Sequence, residues 1–302
     1  MIVITGPTAS GKSALAVSLA QRLDTEIISA DSRQVYKGIP IVTAVPSLSE
    51  RDGIKHHLLE TLPLDAYYSA AKFQEDCEAI LNDIFYDRDT AIVCGGSMLY
   101  LDALTKGIDD LPTVPSHIRK TLMKEWEEKG NEWLLNSLRE KDPDYYIKID
   151  HRNLKRVFHA LEISLTAGKP YSSLLTHNDD RSSQQSLPFD VTKFCLTGQR
   201  DLLFERINSR VIKMIDSGLE EEARSVYHLR HLNSLNTVGL KEMFEYFDGN
   251  MALDIAVARI QKNTRVYAKK QLTWHKRDES LNYLDFSDSP TYNINKILEK
   301  IL

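Results

Sequence analysis

The sequence predicts an α/β fold: a P-loop NTPase-like parallel sheet flanked by helices, with an all-helical insertion domain. Three observations carry this. A β-branched apolar run, Ile2-Val3-Ile4, leads into Gly6-Pro7-Thr8-Ala9-Ser10-Gly11-Lys12-Ser13 and then into Leu15, Leu19 and Leu23 on one helical face. Further short apolar runs, within residues 26–31, 90–94 and 191–197, read as strands of the same sheet. After Leu111-Pro112 the chain becomes charge-rich and helix-patterned, with no convincing strand through residue 179. The expected organisation is residues 1–111 as the first part of the core, 112–190 as the insertion, and 191–302 as the second part with a basic C-terminal helix.

Residues 6–13 match G-x-x-x-x-G-K-[ST] between a strand and a helix. In that context the glycines let backbone N–H groups turn inward and the helix N-terminus adds partial positive charge. Lys12 reaches the outer phosphates, and Ser13 can ligate Mg²⁺. The ligand must carry at least two phosphates, and a nucleotide is only the default for what hangs from them. Asp31 closes the next strand, at the sheet edge where ligands of parallel α/β folds sit. Two roles compete for it, a Mg²⁺-supporting carboxylate and a general base on the acceptor, beside the simpler one of a helix N-cap. Residues 32–63 are turn-rich and read as an ordered loop region carrying polar groups to the same edge. The His56-His57 pair within it has no third ligand nearby and fits packing or a hydrogen bond better than a metal.

From Tyr68 to Tyr86, the spacing of Ala71, Phe73, Cys77, Ile80, Leu81 and Ile84 predicts a core-facing helix. Gly95-Gly96-Ser97 ends the strand of residues 90–94, and Ser97 either hydrogen-bonds a substrate or phosphate or caps the following helix. In the insertion, Leu154, Val157, Phe158, Leu161 and Leu165 share one face. That leaves Lys155 and His159 on another face and Arg152 and Arg156 on its flank, for solvent or for a phosphate backbone. Residues 179–188 read as a polar loop. Leu202 to Tyr227 reads as one long helix with the stripe Leu203, Ile207, Val211 and Met214, beside which Arg206 and Arg210 can point to one anion. Ile255 to Arg277 holds no acidic residue but includes Arg259, Lys262, Arg265, Lys269, Lys270, Lys276 and Arg277, with Tyr267 and Trp274 between them. This pattern fits a polyanion surface or a solvated face.

Composition sets limits on partners. In 302 residues, 38 Lys and Arg stand against 43 Asp and Glu, so any nucleic acid must be met by a local basic patch. Cys77, Cys94 and Cys195 show no C-x-x-C spacing, which argues against a zinc site or a disulfide framework and suits a reducing compartment. With no basic n-region ahead of an apolar segment and no bilayer-length apolar run, a cytoplasmic protein without a membrane partner is expected.

Six stretches, in order, resemble the bacterial tRNA dimethylallyltransferases, the tRNA isopentenyltransferase family. They are residues 6–13, residues 28–36 (Ile-Ser-Ala-Asp-Ser-Arg-Gln-Val-Tyr), His56-His57-Leu58, residues 95–100 (Gly-Gly-Ser-Met-Leu-Tyr), residues 156–162 (Arg-Val-Phe-His-Ala-Leu-Glu) and residues 268–274 (Ala-Lys-Lys-Gln-Leu-Thr-Trp). The match spans nearly the whole chain. It implies transfer of a dimethylallyl group from dimethylallyl diphosphate to the exocyclic N6 amine of the adenosine 3′ of the anticodon in tRNA, with release of diphosphate. It further implies catalytic roles for Asp31, Lys12, Ser97 and Arg210, Mg²⁺ at Ser13, and the diphosphate on Gly6, Pro7, Thr8, Ala9, Ser10, Gly11, Lys12 and Ser13. Contacts to the anticodon stem-loop are implied at Asp31, Ser32, Arg33, Gln34, Ser97, Arg119, Lys155, Arg156, Val157, Phe158 and His159. They are implied as well at Asn236, Thr237, Val238, Gly239, Leu240 and Lys241, and a monomer is expected. Ser97 replaces the family's usual Thr, His159 its usual Arg, and Leu240 its common Tyr; the cysteines of the C-terminal zinc finger found in some relatives are absent. A P-loop kinase of a small molecule or nucleotide, with the insertion as a lid, is the first rival. A nucleotide-switched RNA-binding protein is the second.

Overall fold

The computed structural model describes residues 1–109, 111–175 and 187–301. Strands β1 (Ile2–Thr5), β2 (Ile27–Ser29), β3 (His56–His57), β4 (Ile92–Cys94), β5 (Thr192–Thr197) and β6 (Leu281–Asp285) form one parallel sheet in the order β3-β2-β4-β1-β5-β6. The helices of the first half are α1 (Lys12–Leu23), α2 (Pro40–Thr43), α3 (Leu48–Arg51), α4 (Ala70–Asp87), α5 (Met98–Lys106), α6 (Ser116–Lys141), α7 (Pro143–Lys148) and α8 (Leu154–Ala167). After the insertion come α9 (Arg200–Asp216), α10 (Leu219–Val226), α11 (Leu240–Phe247), α12 (Leu253–His275) and α13 (Pro290–Ile301).

The central strands are covered on both faces, which is why β1 reads as an unbroken apolar run: all four of its residues are buried, and Ile4 lies in register between Cys94 and Phe194. Leu15 and Leu19 of α1 pack on this layer with Ile27, Ile92 and Leu203. A second apolar cluster joins Val35 and Ile39 to Val211, Leu219, Met243 and Ile260, binding α9 to α12 against the segment after β2. Because every strand runs the same way, the segments following β1, β2 and β4 converge at one edge.

The described residues of Met1–Thr105 and Ser186–Leu302 make one compact unit, and those of Lys106–Gln185 another. Both boundaries fall earlier than the expected 111/112 and 190/191, for local reasons. Leu111 and Val114 pack into the helical unit around Leu134, Leu138, Val157 and Leu161. Phe189 packs on Phe85 with ring centroids 5.0 Å apart, and the Met1 ammonium donates to the Asp190 carbonyl at 2.7 Å, so residues 189–190 belong with the sheet. Most of the polar stretch expected at 179–188 lies outside the described residues.

Three other expectations need correction. Residues 32–63 hold α2, α3 and β3 rather than loop alone; four-residue helices are too short to leave a period, although Pro40 in the first turn of α2 and the Ser47–Glu50 capping box of α3 are their signals. The single helix expected from Leu202 to Tyr227 breaks at Ser217-Gly218, where Gly218 takes a φ of 95°. Strand β6 and helix α13 were not anticipated; Tyr283 is half exposed, and this edge strand lacks the apolar run of its neighbours. His56 and His57 form edge strand β3, and His57 Nε2 lies 2.6 Å from Glu26 Oε2.

Candidate active site

The P-loop joins β1 to α1 with Gly6 at a φ of 150°, where a Cβ would come within 2.3 Å of the Leu196 carbonyl oxygen, so only glycine fits. Not every loop amide points inward as expected. The Thr8 N–H donates to Gln271 Oε1 at 2.9 Å, and Gln271 Nε2 donates to the Gly96 carbonyl at 2.9 Å. One buried glutamine of α12 therefore ties the P-loop to the turn after β4. A Cβ on Gly96 would stand 2.4 Å from that same Nε2. Arg210 of α9 donates to Thr8 Oγ1 at 3.0 Å, and Arg206 reaches the Ser10 and Phe286 carbonyls at 3.5 and 3.4 Å while lying over the Phe286 ring. Of the predicted arginine pair, Arg210 faces the loop hydroxyl and Arg206 braces the loop backbone. Lys12 Nζ donates to the Pro7 carbonyl at 3.4 Å. Burial pushes the Lys12 pKa down and Arg210 adds to the effect, opposed by Cys94 and Asp31; burial also lowers that of Arg210. Two desolvated cations side by side make a site that favours an anion.

Asp31 follows β2 and its Oδ1 accepts the Arg33 N–H at 2.9 Å and, more weakly, the Gln34 N–H at 3.3 Å. Its Oδ2 carries no hydrogen bond among the described residues and so retains full acceptor capacity. The turn is fixed on all sides. Ser97 Oγ accepts the Ser32 N–H at 2.8 Å; Gln34 Oε1 accepts from Ser29, and its Nε2 donates to the Thr43 and Ala44 carbonyls. The Arg33 guanidinium donates to the carbonyls of Asn233, Ser234 and Asn236. Ser97 is buried: its hydroxyl holds the turn behind Asp31, and its carbonyl accepts the Tyr100 and Leu101 N–H groups at the start of α5.

Two cavities meet at this edge. The smaller, about 340 Å³, places Asp31 opposite Tyr267 and Gln271, with Asn236, Thr237, Val238, Gly239 and Lys241 at its rim; the larger, about 1250 Å³, opens between the P-loop, residues 40–51 and α9. On α12 it is Ile260, Thr264, Tyr267 and Gln271, at spacings of four, three and four, that face the smaller cavity. Burial and the Asp31 charge raise the Tyr267 phenol to about 12, so it is neutral at pH 7.

The family model described as IPP transferase matches residues 34–278. The chain belongs to that family. It is 44% identical over 301 residues to "tRNA dimethylallyltransferase 2" of Azobacteroides pseudotrichonymphae, covering 100% of this chain and 96% of the relative. It is 46% identical over 283 residues to the protein of that name in Parabacteroides distasonis, covering 94% and 93%. Among solved structures it resembles the full-length tRNA isopentenylpyrophosphate transferase of Bacillus halodurans, with a TM-score of 0.72, 33% identity and coverage of 99% and 94%. A eukaryotic dimethylallyltransferase described as acting on tRNA matches with a TM-score of 0.82 at 28% identity, over 100% of this chain and 77% of that one.

In this IPP transferase the insertion residues divide sharply. Lys155 and Arg156 are exposed on α8, whereas Val157 and Phe158 are buried in the core of the helical unit. Leu240, the first residue of α11, is likewise buried, where the family commonly has Tyr. Arg119 forms a two-pronged pair with the buried Glu162, Nε–Oε2 at 2.7 Å and Nη2–Oε1 at 2.5 Å, and His159 Nδ1 lies 2.9 Å from the same carboxylate. Burial alone would raise the Glu162 pKa; the hydrogen bonds from His159 and Arg119 outweigh it and hold the carboxyl below its ordinary value. The basic residues of α12 are not uniformly free either: Arg265 donates to Asn208 and Lys269 lies over the Phe204 ring, while Arg259, Lys262 and Lys270 are exposed. Gln271 and Tyr267 were not predicted as site residues, although Gln271 stands inside a family-like motif. No helix among the described residues is long and apolar enough to cross a membrane, and no cluster of three acidic, His or Cys side chains converges on a metal position.

Proposed function

We propose that this chain transfers a dimethylallyl group from dimethylallyl diphosphate to N6 of the adenosine 3′ of the anticodon in tRNA. The observation that carries the proposal is the junction of two cavities, one walled by the P-loop cations and one by Asp31. In the transfer, the bond from N6 to the allylic carbon forms as the carbon–oxygen bond breaks, and the electron pair leaves with diphosphate. Lys12, Arg210 and the loop amides meet the charge that grows on that oxygen, which lowers the barrier more than it tightens the ground state. Asp31 Oδ2 accepts the proton released by N6, while its Oδ1 remains fixed by the Arg33 and Gln34 N–H groups. An adenine amine is a weak nucleophile, so holding it in line with the leaving oxygen supplies much of the rate. Reaching this enclosed cavity requires the base to leave its stack, and Tyr267 offers it an aromatic wall.

The donor set fits Mg²⁺ in one respect: Ser13 lines both cavities at the start of α1, beside the position of the phosphates, and a dication held mainly by diphosphate oxygens needs few protein ligands. Bound there, Mg²⁺ would neutralise charge on the departing diphosphate. Arg156 and Lys155 are the phosphate contacts we assign to the helical unit, with residues 236–239 and Lys241 contributing at the rim of the acceptor cavity. The names of the relatives favour this reading over a kinase, which accounts for the P-loop alone. The test is incubation with radiolabelled dimethylallyl diphosphate or ATP, with and without tRNA. Label is expected in tRNA from the prenyl donor alone; transfer from ATP with none from the prenyl donor overturns the proposal.

A further inference from the structure

We propose that Met214 and Ala44 form the seat of the prenyl chain and set its length. This rests on the donor assigned above and adds the residues that select it. The two cavities share five residues: Lys12, Ser13, Arg210, Ala44 and Met214. Three of these suit a diphosphate, and two are apolar. In-line displacement puts the leaving oxygen on one side of the reacting carbon and N6 on the other, so the carbon chain must lie at the throat where the cavities join. Its apolar surface there comes from Ala44 and Met214.

The two walls differ in stiffness. Met214 lies one helical turn after Arg210 on α9, so the guanidinium and the thioether face the same way. It is unbranched and adaptable. Ala44 is held firmly: it caps α2 in a left-handed conformation, φ 51°, and its carbonyl accepts from Gln34 Nε2 at 2.9 Å. The same short helix is pinned from α10, where the Glu222 carboxylate accepts the Ile41 and Val42 N–H groups at 2.7 and 2.8 Å. Beyond Ala44, the larger cavity continues along Ile41, Val45 and Pro46 to Leu48, whose side chain is 82% exposed. Part of the wall past the throat is therefore apolar, beside the charged Glu50, Arg51 and Glu60, and Met214 lines both cavities.

The experiment measures kcat/KM for dimethylallyl and geranyl diphosphate with tRNA, in wild type, Met214→Ala, Ala44→Gly and Met214→Leu, beside melting temperature and affinity for inorganic diphosphate. One methylene in an apolar pocket is worth roughly 10–200-fold, so wild type should prefer the five-carbon donor by about 10² or more. Met214→Ala should narrow that ratio about tenfold or more, with geranylated adenosine detected by mass. Ala44→Gly should narrow it less, and Met214→Leu should leave it nearly unchanged. Because glycine relieves the left-handed backbone, Ala44→Gly keeps the test valid if Met214→Ala fails to fold. Equal use of both donors by wild type overturns the seat, as does an unchanged ratio in folded variants that still bind diphosphate. A wild type that transfers neither prenyl group overturns instead the donor assignment on which the seat depends.

Discussion

Replacing Gln271 by Leu separates the part of the P-loop geometry that is intrinsic from the part imposed by α12. The side chain is 2% exposed and makes two hydrogen bonds of 2.9 Å, accepting the Thr8 N–H and donating to the Gly96 carbonyl. Leucine fills a similar volume but makes neither. Each lost bond contributes about 1 kcal/mol, and each partner left buried and unpaired costs about 1–3 kcal/mol, so a loss near 3–4 kcal/mol is expected if water partly rescues Thr8. For a chain of this size that corresponds to a fall in melting temperature of roughly 5–6 °C. Gln271→Glu distinguishes the two ends of the bridge. Its carboxylate still accepts from Thr8 but sets a charged oxygen against the Gly96 carbonyl, beside the diphosphate position. It should therefore weaken donor binding more than the Leu variant does for a given loss of stability. Thermal unfolding and calorimetric titration with dimethylallyl diphosphate give both quantities. A Leu variant that melts within about 1 °C of wild type and binds donor equally well would refute the bridge as a support of the loop.

Asp31→Asn keeps the acceptor for the Arg33 and Gln34 N–H groups but removes the base, so transfer should slow by about 10² or more with donor affinity nearly intact; a rate within about threefold of wild type in single-turnover assays removes Asp31 from the chemistry. Arg156→Ala should weaken tRNA binding and flatten its salt dependence by about one contact, measured as the slope of log affinity against log salt; equal affinities and slopes mark Arg156 as a solvated residue. Glu162→Gln removes the charge that Arg119 and His159 share and should destabilise the helical unit by about 1–3 kcal/mol in urea titration. Since the folded Glu162 pKa is lowered, its contribution is present above the unfolded carboxylate value and is lost as pH falls through the folded one; the Gln variant should lack that part of the acid sensitivity. His275 is buried beside Thr5, and burial first, then the Lys12 charge, lowers its pKa from 6.5 to about 4. Between these values the unfolded chain takes up a proton that the folded chain refuses, so stability should fall by about 3 kcal/mol from pH 7 to 4 through this group. His275→Gln should remove that slope, and equal slopes in the two proteins would exclude it.

The elements that announce themselves in the sequence are those whose signals are local. The P-loop, the apolar strands and the stripe of α9 each depend on neighbours within a few residues. Gln271 was missed as a site residue because its partners, Thr8 and Gly96, lie 263 and 175 positions away. Arg33 looks like a substrate contact for the same reason; the carbonyls that hold it are some 200 residues distant. Val157 and Phe158 are a different case. Their place in the stripe with Leu154 and Leu161 already marked them as core, and the resemblance, taken over a block of residues, carried them into the RNA-binding set against that periodicity. Helix α2 left little trace because a single turn has no period, and its anchor, Glu222, sits in a later helix.

The order of the chain also bears on synthesis. Strand β1 is made well before one of its two sheet neighbours, β5, which begins only at Thr192, and the P-loop side-chain partners Arg210 and Gln271 come later still. Until Gln271 has been added, the phosphate cradle lacks one support of its final form, while the helical insertion closes contacts among residues that are near in sequence. A nascent or prematurely terminated product would thus hold its insertion helices before the supports of its P-loop were complete. Completion of the P-loop's side-chain supports thus waits on α12.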